Sequence, residues 1–298
     1  PVAVISLMTA SAIGKLTVNG DIDYLSAAVI LALLSGIMLL LLGIFRLGFL
    51  ANFLSHPVIS GFIIAAGLLI ATSQFGHILG IATSGQTLPA LLISLSGGLN
   101  DINSAALIIG CASLVFLIWV RLGMKSLLEA CGLSSGLAGN ISRAGPLLAV
   151  FVSISAVQFF SLGNSVAIVG AIPQGLPSFT LPALSLDMVE VLWLPALFIS
   201  IIGFVESVSV GQTLAARKNE RIDSNQELIG LGAANIAASV SGGYPVTGGF
   251  ARSVVNFDAG AVTPAAGGFT AIGIGVATLV FTPYLYFLPK AVLAATII

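Results

Sequence analysis

Two charged side chains, Arg252 and Glu206, stand in apolar surroundings, and their neighbours suggest what each could do. Arg252 lies in the stretch Ser241-Gly-Gly-Tyr-Pro-Val-Thr-Gly-Gly-Phe-Ala-Arg-Ser253. Its glycines and Pro245 oppose a continuous helix, because glycine loses the most backbone entropy and proline removes a donor and clashes with the preceding turn. The alternative is that Gly242-Gly243 and Gly248-Gly249 are helix-packing glycines, against which Pro245 between them argues. A helix restarting near Gly249 presents free N–H groups and the positive end of its dipole. Arg252 adds a full charge one turn in, and together these are the parts of an anion site. Alternatively, Asp258 neutralises Arg252, or the side chain reaches the surface. Glu206 follows Gly203-Phe-Val within an apolar run. A carboxylate kept from water favours its neutral form, so Glu206 is a candidate for loading and releasing a proton. Its bland alternatives are pairing with Arg252 and capping a break in the backbone.

Other reactive side chains point to no second chemistry. His56 and His77 fall near the ends of apolar segments and read as interfacial or packing residues. There is no three-histidine set and no His-Glu-x-x-His, so no metal is expected. Cys111 sits in an apolar segment and Cys131 in an expected cytoplasmic loop, which suggests no disulfide framework. No Gly-x-x-x-x-Gly-Lys-Ser/Thr loop is present, so nothing points to ATP-driven work or to any cofactor.

The elements that must hold Arg252 and Glu206 are membrane spans. The chain is 57% hydrophobic and 7% charged, with mean hydropathy +1.13; soluble domains carry roughly 25% charged residues. A net charge of −1 with scattered basic residues excludes a nucleic-acid partner. Spans of about 20 residues are needed to cross the bilayer. They are expected at Ser26–Phe45, Val58–Phe75, Ser104–Val120, Pro146–Phe160, Val191–Leu214, Leu228–Val240 and Ala265–Thr282, with another beginning at Tyr284 and cut off at Ile298. Pro1–Ile13 is too short and reads as a second broken or half helix; Thr87–Leu99 reads as interfacial or re-entrant. The chain starts and stops inside apolar segments, as a fragment trimmed at both ends would. Arg46, Arg121, Lys125, Arg143, Arg217, Lys218 and Arg221 fall on one side of this arrangement, which marks that side as cytoplasmic. The linker 161–186 has no Lys or Arg and is external.

An internal repeat is also suggested. Phe53-Leu-Ser-His-Pro-Val-Ile-Ser-Gly-Phe-Ile-Ile64 and Phe287-Leu-Pro-Lys-Ala-Val-Leu-Ala-Ala-Thr-Ile-Ile298 share five identities in twelve positions. Each follows an expected broken element, at Pro1 and at Pro245, and the charge pattern gives them opposite orientations. Broken helices at matching positions in inverted halves point to a transport site at the midplane.

Pro1-Val-Ala-Val-Ile-Ser-Leu-Met8, Asn52-Phe-Leu-Ser-His-Pro-Val-Ile-Ser-Gly-Phe62, Ala215-Ala-Arg-Lys through Asp223-Ser-Asn-Gln-Glu-Leu228, and Gly249-Phe-Ala-Arg-Ser253 resemble the sulfate permease (SulP) family of anion transporters. The animal solute-carrier anion exchangers and prestin belong to that family. The resemblance covers essentially the whole chain. It implies an all-α polytopic membrane protein, part of a fold of two inverted seven-span repeats (uracil permease-like), with two broken helices facing each other at the bilayer midplane. It implies a core domain (1–46 and 187–282), a gate domain (52–160 and 284–298) and the external linker 161–186. On that comparison the first two spans, the last two and a cytoplasmic STAS domain are absent. Carried over by position, Pro1, Val2 and Ala3 face Gly249, Phe250, Ala251 and Arg252 across the anion, and Glu206 matches an acidic position associated with proton coupling. Vertebrate exchangers often have serine where this chain has Ala251, which removes a hydroxyl donor.

The reading that follows is a bacterial inner-membrane secondary transporter, not an enzyme, carrying an inorganic anion. Sulfate with a coupled proton is expected, moved by alternating access in a homodimer when the protein is full length. The alternatives are a bicarbonate or dicarboxylate carrier, with sodium as a further coupling ion, and a non-transporting anion-sensing or channel-like module.

Overall fold

The structure, a computed structural model, describes all residues except 1, 2, 18–22, 54, 55, 86, 173, 174, 176–178 and 180–184. For residues 3, 15–17, 51–53, 56–60, 62, 63, 66, 164, 250 and 251 it describes the backbone only. The helices are α1 (Ala3–Thr17), α2 (Tyr24–Ile44), α3 (His56–Leu79), α4 (Leu88–Gly97) and α5 (Ser104–Trp119). They continue as α6 (Lys125–Ala130), α7 (Ser135–Arg143), α8 (Gly145–Phe159) and α9 (Leu186–Lys218). The last are α10 (Ser224–Val240), α11 (Phe250–Asp258), α12 (Ala265–Phe281) and α13 (Lys290–Ile297). Among the described residues, four continuous helical stretches are long and apolar enough to cross a membrane: Tyr24–Ile44, Ser104–Ala130, Leu186–Lys218 and Ala265–Phe287. The chain is therefore a multi-pass membrane protein.

Local sequence sets the helix ends. Asp23 caps α2, accepting the Ser26 N–H at 3.0 Å and the Ser26 hydroxyl at 2.9 Å. Those bonds hold its carboxyl below the usual carboxylate range. Ser185 and Asp223 cap α9 and α10 in the same way. α9 carries Asp187 in its first turn and Arg217 and Lys218 in its last, then closes on Asn219 at φ 56°. That charge order complements the helix dipole, and asparagine tolerates the left-handed conformation.

The described chain divides into two compact units. Pro1–Ala66 with Leu176–Gly273 forms the first. Within it, α2 lies against α9 and α10. Ile5, Ile13, Ile30, Leu31, Leu192 and Ile199 share one core cluster; Leu39, Phe204, Val208 and Leu228 share another. In hydrocarbon, burying apolar surface does little to drive helices together, so close packing and polar bonds must. The α2–α10 contact shows how. A Cβ on Gly36 would lie 2.8 Å from the Ile236 nitrogen and 2.9 Å from the Gly232 oxygen. A Cβ on Gly232 would lie 2.7 Å from the Leu40 nitrogen. Between α2 and α9 the glue is polar: the buried Ser35 hydroxyl donates to the Ala196 carbonyl at 3.2 Å. Ser200, also buried, donates to Ala196 at 2.7 Å and reaches the Ser35 carbonyl at 3.3 Å.

Gly67–Gly175 with Ile274–Ile298 forms the second unit. There α13 packs on α5 and α8 through buried Ala291, Val292, Ala294 and Ala295. α5 passes through a π turn at Val120–Met124 into α6, making the span longer than the apolar run alone suggests. The span expected from Tyr284 is corrected. Thr282–Phe287 is a 3₁₀ helix, Leu288 and Pro289 are extended, and α13 starts only at Lys290. Pro289 bridges Ile168 in antiparallel fashion. The flanking bonds are Val169 N–H to Leu288 at 2.9 Å and Lys290 N–H to Ala167 at 2.9 Å. Pro289 has no N–H to satisfy, so it tolerates this position.

The two repeat segments share local structure. The 3₁₀ helices Leu47–Phe53 and Thr282–Phe287 end on matching phenylalanines. The following α-helices start at matching positions, His56 and Lys290.

The α2–α10 contact predicts a contrast between neighbouring glycines. Gly232→Ala in the full-length protein should lose about 1–3 kcal/mol, because two backbones must separate. Gly230, whose Cβ would meet nothing within 4 Å, should instead be neutral or gain up to about 1 kcal/mol as alanine. Thermal unfolding in detergent measures both, and equal midpoints would contradict the close approach.

Candidate functional site

α10 stops at Val240, and nothing from Gly243 to Gly249 is helical. Gly242 takes φ 71°, a conformation glycine adopts without a Cβ penalty, and the Gly243 N–H closes back on the Ala238 carbonyl at 2.7 Å. Pro245 is fully buried within this interruption. Buried backbone that is not helical needs other partners for its polar groups. Asn235 of α10, 1% exposed, supplies two of them. Its Nδ2 donates to the Val246 carbonyl at 2.9 Å, and its Oδ1 accepts the Val246 N–H at 2.9 Å. The second Nδ2 hydrogen goes to the Leu231 carbonyl, also at 2.9 Å. The next residue is fastened to α9, where the buried Thr247 hydroxyl donates to the Gly203 carbonyl at 2.7 Å.

Gly203 is where three elements meet. A Cβ there would lie 3.3 Å from Thr247 Oγ1 and 3.8 Å from Ile5 Cδ1, so α1 and the interruption both approach α9 at this glycine. Gly248 approaches Ser207 in the same way, its Cβ position 3.0 Å from Ser207 Oγ. The Ser207 hydroxyl also lies near enough to influence the Glu227 carboxylate of α10.

α11 then begins at Phe250 with Gly249 as an N-cap that offers no side-chain bond. Its first N–H groups have no intrahelical acceptors, and the dipole concentrates positive potential there. A Cβ on Gly249 would lie 2.9 Å from Nη2 and 3.0 Å from Nε of Arg252. The guanidinium is therefore folded back over the start of its own helix. Arg252 is solvent-exposed and, with Ser253, Asn256 and Thr270, lines an open groove of about 590 Å³. This corner concentrates hydrogen-bond donors and positive charge.

Glu206 is half-buried. Its Oε2 is shielded from solvent, and no described residue bonds to it. Arg252 is close enough to act on it electrostatically, yet no ion pair joins them among the described residues. Asp258, the other partner considered for Arg252, pairs instead with Arg217 at 3.7 Å. The Phe257 ring lies under Lys218 at 5.3 Å and Arg217 at 6.0 Å. The end of α11 thus docks on the charged end of α9. Nine residues rise about 13 Å, under half of a roughly 30 Å hydrocarbon core. Glu206 lies about 16 Å along α9 from Arg217 by the same rise. Both the start of α11 and Glu206 are therefore well removed from the charged end.

Of the residues singled out in the sequence, Gly249 and Arg252 are in contact, with Glu206 within electrostatic reach. Pro1 and Val2 lie outside the described residues. Ala3 opens α1, and Phe250 and Ala251 open α11, with only their backbones described. His77 is exposed on the last turn of α3, and the His56 side chain is outside the described set. Asn235, Thr247, Ser207 and Glu227 were not anticipated. The available signal was chemical: an amide inside an apolar span is costly unless it is bonded.

Residues 1–298 match the Sulfate permease family. Probable sulfate transporter 4.2 of Arabidopsis thaliana is 36% identical over 300 residues, covering 100% of this chain and 43% of that protein. Among solved structures, the overall structure of SLC26A9 superposes with a TM-score of 0.82 at 25% identity, over 98% of this chain and 46% of that one. The transmembrane domain of a cyanobacterium bicarbonate transporter, BicA, gives 0.80 at 20% identity, over 98% of this chain and 71% of that one. The chain thus has the all-helical fold of these membrane domains and spans less than half the length of its plant relative.

Thr247→Val, which keeps the shape and removes the hydroxyl, should untie the interruption from α9 and leave the Gly203 carbonyl with only the bond of its own helix. The expected loss is about 0.5–1.5 kcal/mol; Thr247→Ser should restore most of it. Thermal unfolding of the full-length variants tests this, and a Val variant as stable as the parent would refute the anchor.

Proposed function

The chain belongs to the sulfate permease family, and from that premise we propose that the protein is a secondary transporter of inorganic anions. It carries sulfate together with a proton by alternating access across a bacterial inner membrane. The observation that carries this reading is the Arg252 guanidinium folded over the uncapped start of α11. The plant relative's name, a probable sulfate transporter, supports the choice of anion. In this reading the anion lies between Pro1, Val2 and Ala3 on one side and Gly249, Phe250, Ala251 and Arg252 on the other. Backbone N–H groups and one guanidinium hold it without the deep trap that several fixed cations would make.

Glu206 is the proton carrier. Sulfate brings two negative charges to a site holding one arginine and one carboxylate. Protonating Glu206 cancels the carboxylate's own charge and leaves the arginine to offset part of sulfate's, which lowers the electrostatic cost of moving the loaded site through low dielectric. Residues 1–46 and 187–282 serve as the transporting core, 52–160 and 284–298 as the gate, and the full-length protein works as a homodimer. The protein is a carrier rather than an enzyme.

Radiolabelled sulfate uptake by the full-length protein in proteoliposomes, at two external pH values, tests this function. Bicarbonate and fumarate as competitors identify the preferred anion. Uptake should rise with an inward proton gradient and be displaced best by unlabelled sulfate; uptake indifferent to the gradient would defeat proton coupling. Glu206→Gln should transport at a rate that no longer follows the gradient, and coupling that survives this change removes Glu206 from the role. Arg252→Ala should raise the sulfate KM about 10- to 100-fold, the worth of a charge-assisted hydrogen bond; a KM within twofold of the parent would show that the guanidinium does not hold the anion.

A further inference from the structure

The interruption before α11 is held at two consecutive residues and then released. Val246 has both its N–H and its carbonyl taken by the Asn235 side chain, so the amide acts toward the chain as a neighbouring strand would. Thr247 is tied to Gly203. Only Gly248 and Gly249 separate these anchors from Phe250, and neither has a side chain to steer the helix. Asn235 itself has little freedom: it is 1% exposed, and its third bond, to Leu231, locks it onto its own helix. All its amide hydrogens are spent on backbone carbonyls, so it has none left for a solute.

We infer that Asn235 is a positioning residue for the anion. Its amide fixes the direction in which the N–H groups at the start of α11 point, without touching the anion. The inference rests on the anion site proposed above. Satisfying backbone would by itself make Asn235 a stabilising residue only. The difference lies in the direction imposed: a bond to one backbone group of Val246 would satisfy that group, whereas bonds to its N–H and its carbonyl hold two successive peptide units and so also set the direction of the chain. Without them, the α11 start samples several directions, and only a fraction of molecules present the binding arrangement. Apparent affinity then falls by that fraction, while the rate of a correctly loaded site is kept.

The test is sulfate uptake by the full-length protein and its Asn235→Ala variant in proteoliposomes, with unfolding temperature measured with and without sulfate. The expected result is a sulfate KM raised about tenfold, as for a site aimed correctly about a tenth of the time. The turnover at saturating sulfate should stay within about twofold, and the sulfate-induced rise in unfolding temperature should shrink. Should the alanine variant fail to fold, Asn235→Gln keeps the amide but moves it out by one methylene, and the same KM rise is expected. A folded variant with an unchanged KM overturns the inference. So does a fall in turnover and unfolding temperature with KM and the sulfate-induced rise intact, which is the mark of a purely structural role. Parent protein that neither binds nor transports sulfate overturns the anion-site reading and this inference with it. Parent and variant that bind sulfate equally overturn the inference alone.

Discussion

A backbone that leaves its helix inside a membrane must find other partners for its N–H and carbonyl groups, and this constraint shapes the first unit. Between Val240 and Phe250 the chain gives up helical bonding. Asn235, from the helix before the interruption, and Thr247, within it, help to close the gap. The Thr247 bond is buried and those of Asn235 partly so, where hydrogen bonds gain strength and an unmade one is costly. The helices that flank the interruption must then stay where these bonds require them.

Glycine and serine meet that requirement. Gly36 and Gly232 bring the α2 and α10 backbones together, and Ser35 and Ser200 tie α2 to α9. A larger residue at either glycine would push α10 away and carry Asn235 with it. Gly203 and Gly248 serve the same purpose beside the interruption, admitting Thr247 and Ser207 at close range. Small residues here determine distance, and the polar bonds exploit the closeness.

Charge is divided between two depths. Arg217 and Lys218 at the end of α9 receive Asp258 and Phe257 from the end of α11. This pair is half exposed, so its worth lies in docking more than in stability. At the other end of α11, Arg252 and Glu206 act on each other without pairing. Because Asp258 is held by Arg217, the short helix does not neutralise its own arginine. The positive charge is left to the helix start and the groove beside it.

Much of this was legible in the residues. Composition and the apolar runs establish a polytopic helical membrane protein, and glycines flanking a proline mark the interruption, because these are properties of the local chain. Arg252 and Glu206 stand out for the same reason, as charges in apolar surroundings. The matching 3₁₀ and α boundaries at Phe53 and Phe287 likewise follow a visible similarity. Only the tertiary structure decided which groups satisfy the interruption, since Thr247 and Gly203 lie 44 residues apart. It also gave Asp258 to Arg217, and it broke the Tyr284 segment by pairing it with residues 167–170. A single sequence carries local preferences such as helix breaking and hydropathy. Partner choice between distant segments depends on distances of a few ångströms, and those exist only once the helices have packed.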